Sequence, residues 1–289
     1  MRVLTVPNWS FGRDRDLLAL FGDLLSGWDG LTVHYLRSDV DHNRTVSAFS
    51  GPADRVFERL ERLAEAAFER IDLNRHIGVH PRVGALDVCP FLRLGTEPYP
   101  LQLKIEAFAA GFAEKFGVPV FLYEQSERGR HPADLPTLRQ GGFGGMLLKG
   151  RIEPDFGPDH AHPRLGVTIM GERPWLLAFN LNFWGDDVSA AKTVAKEIRN
   201  RRNEGEPMFE HVRALGFFLT SREMVQVSLN VTRPELTSLD PLIERVTAMA
   251  GRYGLQFAET ELIGVIRASD ALRATRLKID PAQIVNDEP

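Results

Sequence analysis

Cysteine is almost absent from this chain. Cys89 is the only one in 289 residues, so no intrachain disulfide can form and a reducing compartment is expected. It lies in an apolar run and reads as an inert core residue rather than a nucleophile. Long hydrophobic runs are lacking too, and none reaches membrane-spanning length. The opening Met1-Arg2-Val3-Leu4-Thr5-Val6-Pro7-Asn8 turns polar too soon for a secretory signal and reads as the first strand of a cytoplasmic protein. Positive charge is not in excess. There are 35 Lys and Arg against 39 Asp and Glu, a formal net charge of −4, which gives a nucleic-acid or membrane partner no support. The one basic cluster, Lys196-Glu197-Ile198-Arg199-Asn200-Arg201-Arg202, reads as a solvated helix end whose cations suit the C-terminal dipole. Attraction of an acidic small substrate is its alternative reading. No Gly-x-Ser-x-Gly elbow is present. No Lys-Ser/Thr ending follows Gln140-Gly141-Gly142-Phe143-Gly144-Gly145, so that run reads as a mobile connection rather than a phosphate cradle.

What is present is an ordinary globular composition, 43% hydrophobic and 26% charged, long enough for one large domain or two small ones. Its periodicities repeat. In the first half, residues 2–7 read as a strand and 14–26 as a helix with Leu17, Leu18, Phe21, Leu24 and Leu25 on one face. Residues 31–36 and 45–50 read as strands around the polar turn Ser38–Arg44. Residues 53–71 are an amphipathic helix with the stripe Val56, Phe57, Leu60, Leu63, Ala64, Ala67, Phe68 and Ile71. Residues 84–91 are a strand, and a helix near 100–116 and a strand at 118–123 extend this half. In the second half, 175–183 is a strand, and a helix capped at Asp186 or Asp187 follows. Residues 212–219 are a strand. In 224–232, Val225, Val227, Leu229 and Val231 alternate with Gln226, Ser228, Asn230 and Thr232, as in a half-buried strand. Asp240-Pro241 reads as N-cap and N1 of a helix, and 255–266 as a last strand.

Both halves thus spell β-α-β-β-α-β, the split βαβ order of ferredoxin-like domains. The expected fold is α/β (α+β): two tandem βαββαβ subdomains, 1–173 and 174–289, with a ligand cleft or tunnel between them.

The densest chemistry lies in Asn74-Arg75-His76-Ile77-Gly78-Val79-His80-Pro81-Arg82-Val83-Gly84-Ala85-Leu86-Asp87. Two histidines, two arginines and a carboxylate share a Gly/Pro-punctuated loop ahead of an apolar strand. Gly78 and Pro81 speak against a continuous helix here. Imidazole is the side chain suited to moving protons near neutral pH; loop capping or packing is the bland alternative. Three further polar loops stand out: Pro7–Gly12, Asp39–Arg44 and Asp155–Gly166. Asp41, His42, His76, His80, Asp87, His160 and His162 are possible metal ligands, but their spacings match no compact motif, and no metal is expected.

At these segments the chain resembles the glutamate formiminotransferase family, including the transferase part of formiminotransferase-cyclodeaminase. The matching text is Val6-Pro7-Asn8-Trp9-Ser10, Asp41-His42-Asn43-Arg44-Thr45-Val46, Asp155-Phe156-Gly157-Pro158 and, most specifically, His80-Pro81-Arg82-Val83-Gly84-Ala85-Leu86-Asp87-Val88. Ala178-Phe179-Asn180-Leu181-Asn182 and Gln226-Val227-Ser228-Leu229-Asn230 continue it. The resemblance implies a cytoplasmic homodimer that moves a formimino group from N-formimino-L-glutamate to N5 of tetrahydrofolate, the co-substrate, in histidine degradation. It puts the catalytic histidine on His80. The folate loop falls on Gly157, Pro158, Asp159, His160, Ala161, His162, Pro163, Arg164, Leu165 and Gly166. One imidazole can serve as base and then acid. Asp41 or Asp87 are candidates to orient it, and Arg44 and Arg82 to hold carboxylates. Asn43 and Asn180 are candidates for the pterin edge or turn caps, and Arg82 is expected to favour neutral His80. The better-known members carry Glu where this chain has Val79 and Phe11, which predicts a less acidic site. Alternatives are cyclisation of 5-formyltetrahydrofolate, which needs ATP, and a non-catalytic folate-binding module.

Overall fold

The computed structural model describes residues 1–27, 30–95, 100–142, 145 and 152–287. They form two compact units, Met1–Arg173 and Pro174–Asp287. Phe143 and Gly144 of the glycine run lie outside the described residues.

The first unit begins with β1 (Arg2–Thr5) and β2 (Asn8–Trp9), one strand line interrupted at Val6-Pro7. It continues through α1 (Arg15–Leu25), β3 (Thr32–Asp39), β4 (Arg44–Pro52), α2 (Ala53–Arg70), β5 (Leu86–Leu94), α3 (Leu101–Phe116), β6 (Val120–Leu122), the single turn α4 (Leu135–Leu138) and β7 (Thr168–Glu172). The strands make one seven-stranded sheet in the order β1-β4-β2-β5-β7-β6, with β3 on the outer side of β4. β5 pairs antiparallel with β1 and β2 and parallel with β7. The helices bury apolar stripes in one core with the sheet: Leu17, Phe21 and Leu25 from α1, Val56, Leu60 and Leu63 from α2, Ile105, Ala109 and Phe112 from α3. A smaller apolar cluster gathers Val83, Val88, Phe121, Tyr123, Leu138, Val167 and Ile169.

The second unit runs β8 (Leu177–Trp184), α5 (Val188–Asn203), β9 (Val212–Leu219), β10 (Met224–Val231), α6 (Leu239–Gly251) and β11 (Gln256–Ile263). Its sheet order is β11-β8-β10-β9, antiparallel throughout. Leu177, Phe179, Leu181 and Phe183 of β8 and Val225, Val227, Leu229 and Val231 of β10 face the helices in a second core. β12 (Ile266–Arg267) and β13 (Ile284–Val285) form a parallel pair, with the short α7 (Ala268–Ala271) after β12. The β-α-β-β-α-β order is present in both units. Among the described residues no helix is long and apolar enough to cross a membrane.

Several local expectations need correction. The polar turn is shorter than Ser38–Arg44: Ser38 Oγ pairs with Thr45 Oγ1 at 2.7 Å across the ladder, so β3 extends to Asp39. β7 has no counterpart in the sequence reading. The last strand stops at Ile263, before the left-handed Gly264 (φ 76°). α6 starts at Leu239 behind Ser238, so Asp240 is not its cap. The Asp240 carboxylate is instead drawn away to accept from Thr275 and Arg276 amides.

Candidate active site

Three neighbouring strands end together and set the floor of the site. Asn8 opens β2, Arg44 opens β4, and Asp87 lies at the start of β5. Asp87 is fully buried. Its Oδ2 accepts from Arg44 Nη1 at 2.8 Å and also from the Arg139 guanidinium, and its Oδ1 accepts the Val83 amide at 2.7 Å. Arg44 Nε donates to Asn8 Oδ1 at 3.1 Å. Burial alone would raise the Asp87 carboxyl, but Arg139, Arg44 and the Val83 amide outweigh it and hold it below the usual carboxylate range. Burial pushes Arg44 down to about 10, against the opposing pull of Asp87.

Above this floor stands His80. No regular element spans residues 71–85. His80 Nδ1 donates to the Pro81 carbonyl at 2.7 Å, which fixes the neutral ring with its basic lone pair on Nε2. The His42 ring packs edge-on at 5.8 Å between centroids. Desolvation, then the charges of Arg44, Arg139 and His42, push the His80 pKa well below its ordinary value. The expected bias toward neutral imidazole is therefore present, but Arg82 is not its source. Arg82 is turned to the His76 carbonyl. The Asp87 oxygens accept from two guanidiniums and an amide.

The loops are pinned to one another by backbone contacts too close for side chains. Asn43 sits at φ 48°. Its Oδ1 accepts the Gly12 amide at 2.8 Å, its Nδ2 donates to the Ile77 carbonyl at 3.1 Å, and its own carbonyl accepts His76 Nε2 at 2.7 Å. It ties its own loop to Gly12 and to the His76–Ile77 segment at once. A Cβ on Gly78 would stand 2.2 Å from the His42 carbonyl oxygen, and one on Gly12 2.1 Å from that of Asp39, so both close approaches require glycine. The Asp41 carbonyl accepts the Val79 amide at 3.1 Å. Val79 itself is exposed on the rim, whereas Phe11 is buried edge-on against Phe21 at 5.0 Å. Phe11 is therefore a core residue of the first unit.

The segment 157–166 joins the same loops. Gly84 and Gly166 form a bridge, Ala85 donates to the Leu165 carbonyl at 2.8 Å, and Asn74 Nδ2 donates to the Pro163 carbonyl at 2.9 Å. Asp155 anchors its entry by accepting from the Leu122 amide at 2.7 Å and from His131 Nε2 at 2.8 Å. Gly157 is left-handed (φ 91°). Within the segment, Pro158 is half-buried, Ala161 packs on the cluster around Val83, and Leu165 is buried. Asp159 and His160 pair with each other in solvent. His162 Nδ1 accepts the Arg164 and Leu165 amides, and Arg164 donates to the Phe68 and Ile71 carbonyls at the end of α2. These two side chains hold the turn itself.

Arg139 is the site residue that the sequence reading missed. It follows α4, immediately before the glycine run; an arginine abutting that run was the only local signal. Arg82 and Arg139 each keep a buried Nε with no partner among the described residues. One carboxylate against two guanidiniums leaves the floor net cationic, so the site suits an anionic substrate approached by a neutral imidazole. Cys89 lies outside this chemistry: it is buried, and burial pushes its thiol up. The basic end of α5 is committed as well, with Arg201 on Glu197 and Glu206 and Arg199 on the Ala214 carbonyl.

Known proteins resemble this chain along its whole length. Residues 2–173 match the formiminotransferase domain, N-terminal subdomain, and residues 178–288 the formiminotransferase domain. The chain is 33% identical over 267 residues to a glutamate formimidoyltransferase of Streptococcus pyogenes serotype M1, covering 91% of this chain and 88% of that one. A glutamate formimidoyltransferase of Thermoplasma acidophilum is also 33% identical, over 90% of this chain and 86% of its own. The formimidoyltransferase-cyclodeaminase of Sus scrofa is 33% identical over 90% of this chain but only 49% of its own length, so the chain spans about half of that bifunctional relative. With both domains matched in order and a third of the residues shared across nine-tenths of its length, the chain belongs to the formiminotransferase family.

Proposed function

We propose that this protein is a glutamate formimidoyltransferase that moves a formimino group from N-formimino-L-glutamate to N5 of tetrahydrofolate. The observation that carries the reading is His80: a neutral imidazole locked as the Nδ1–H tautomer by the Pro81 carbonyl, in a cationic surround. N5 forms a bond to the formimino carbon while the bond from that carbon to the glutamate nitrogen breaks. The Nε2 of His80 takes the N5 proton and passes it to the departing nitrogen, so one group serves as base and then acid. The products are 5-formiminotetrahydrofolate and glutamate, and the protons balance without a further reactant.

Arg82 and Arg139 supply N–H groups toward the donor's carboxylates, and Arg44 contributes charge from beneath, where Asp87 holds it. Asn43 and Asp41 shape the loop rather than touch the substrate. The folate is held against residues 157–166, whose turn His162 and Arg164 keep rigid from within. The setting is a cytoplasmic homodimer working on small molecules in histidine degradation and one-carbon metabolism, in keeping with a net charge of −4 and one buried cysteine. The test is a spectrophotometric assay with tetrahydrofolate and N-formimino-L-glutamate, run beside formyl and other formimino donors. Turnover highest with formiminoglutamate is expected; turnover with a formyl donor alone would replace this reading.

A further inference from the structure

The chain contains the dipeptide His-Pro at His80-Pro81, His131-Pro132 and His162-Pro163. His80 and His131 share a local anchor: each ring sets Nδ1 on the carbonyl of the proline that follows it, at 2.7 Å and 3.0 Å. Their wider surroundings differ. His80 lies among the charges of Arg44 and Arg139, whereas His131 Nε2 is 2.8 Å from Asp155 Oδ2. The side chains of this second pair are almost fully buried, 2% and 4% exposed. Both ring nitrogens of His131 therefore face an acceptor. A neutral imidazole has one N–H and one lone pair, and whichever nitrogen kept the lone pair would point it at an oxygen. Only the imidazolium donates on both sides. The dipeptide that holds His80 neutral thus holds His131 charged.

The neighbours support the charge. Glu127 Oε1 accepts the His131 amide at 2.9 Å, and the same carboxylate accepts the amides of Gly129 and Arg130. Asp155 and Glu127 are the anions acting on the ring. Arg130 is the nearby cation, on Asp155 Oδ1 at 3.3 Å. β6 has no titratable side chain and presents the Phe121 ring at 5.7 Å. Burial opposes the charge, but Asp155, the Pro132 carbonyl and Glu127 outweigh it and raise the His131 pKa above its ordinary value. Asp155 and Phe156 are laid on β6: the Val120 carbonyl accepts both their amides, and Asp155 Oδ2 accepts the Leu122 amide at 2.7 Å. The segment 157–166 begins directly behind them. On the other side, Asp134 caps α4, which ends at Arg139 on Asp87. His131 thus ties the approach to Arg139 to the entry of the 157–166 segment, across 24 positions of sequence.

We infer that His131 is a positioning residue whose proton clamps Asp155 against β6 and so holds the entry of the 157–166 segment. Loss of that proton turns a lone pair toward Asp155 or toward the Pro132 carbonyl, and one of the two contacts opens. Asp155 then keeps the Leu122 amide and Arg130, whose side chain is 54% exposed and whose attraction is screened by solvent. The sign follows from a histidine pKa raised in the native protein. The clamp is complete below the roughly 6.5 of a free imidazole and is lost as pH rises through the raised value. His131 touches no substrate and passes no proton to one. The inference rests on the functional reading above, in which folate lies against residues 157–166, and adds to it an alkaline limit.

The experiment has two arms. In the wild-type chain, NMR titration of the histidine ring nitrogens should show His131 protonated on both at neutrality, with a midpoint above roughly 6.5. A neutral His131 ring at neutrality overturns the inference without any variant. The second arm is the Michaelis constant for tetrahydrofolate against pH in the wild type, His131→Gln and His131→Arg, with denaturant midpoints. In the wild type the constant should rise roughly threefold to tenfold as pH passes the His131 midpoint, part of the worth of a hydrogen bond to a charged group. The constant for formiminoglutamate should change less, because Asp87 holds Arg139 independently. His131→Arg keeps a fixed cation beside Asp155 and should stay low at every pH. His131→Gln carries no charge there and should be high and flat. A merely structural role would lower the denaturant midpoints of both variants and leave the alkaline rise in place. An alkaline rise that persists in His131→Gln overturns the inference, whether or not the arginine variant folds. If the wild type turns over with a folate constant that is flat in pH, the inference falls and the functional reading stands. If tetrahydrofolate supports no turnover at all, the functional reading falls and takes the positioning role with it.

Discussion

The two units repeat one order of elements and place their polar side chains in opposite kinds of location. In the first, the charged groups gather in loops at the ends of β2, β4 and β5, where Asp87 is satisfied twice over by arginine. In the second, neutral amides occupy the middle of the sheet, and two of them remain half-satisfied. The contrast follows from desolvation. A charge can be held at a strand end because loop amides and guanidiniums reach it there, whereas an unpaired charge on a buried sheet face would be prohibitive. Neutral amides can be left open on such a face at a tolerable cost. The duplication therefore copies a scaffold, and polar groups are placed differently on each copy: charges in loops, neutral amides on strands.

The largest test of this division is at His80. His80→Ala should lower turnover roughly 10²–10⁴-fold, the range for losing a positioned proton-transfer group. His76→Ala should cost less, because that ring is spent on the Asn43 carbonyl. The pH profile sharpens the assignment. His80 has its pKa depressed by burial and by Arg44, Arg139 and His42, so it stays unprotonated at neutrality. Activity should decline only as pH falls through that depressed value, below the roughly 6.5 of a free imidazole. Arg139→Gln removes one repelling charge and should move this acid limb upward. A loss as large from His211→Ala in the second unit would break the comparison outright.

Next in size is the buried charge cluster. Asp87→Asn leaves Arg44 and Arg139 facing each other without a counter-ion, and breaking a buried pair in this way costs about 3–5 kcal/mol. Urea denaturation should show that loss, and adding Arg139→Met should recover part of it. Full stability in the single variant would mean that water, not Asp87, neutralises the arginines. The reverse substitution on the amide pair of the second unit, Asn182→Asp, adds a charge where none is paired and should be destabilising as well.

Local pattern made most elements legible. The stripe of α2 and the alternation of β10 are visible because each element buries one face. β7 escaped because Thr168–Glu172 is buried along its whole length beside parallel partners, which erases alternation. The polar row of β10 misled in a different way: Gln226 is fully buried rather than turned to solvent, and no local pattern encodes what covers a sheet. At the site, His80 and the four polar loops stand out through composition, and their convergence follows from strand ends meeting. Arg139 was invisible because its partner Asp87 is 52 residues away. Its role exists only after folding.

The smallest expected effect is at the basic end of α5, and its smallness is the point. If the cluster from Lys196 to Arg202 drew in an acidic substrate, substrate recognition would be shared between loops and helix, and the division above would blur. Arg201 is tied to Glu197 and Glu206, Arg252 joins it on Glu197 at 2.9 Å, and Arg199 is spent on the Ala214 carbonyl at 2.7 Å. Paired surface cations contribute little long-range field at physiological salt. Arg201→Gln should therefore leave kcat, the Michaelis constant for formiminoglutamate and the salt dependence of that constant unchanged, while Arg82→Gln in the first unit raises the constant. A rise in the Michaelis constant for Arg201→Gln that disappears at high salt would restore the helix as a steering element.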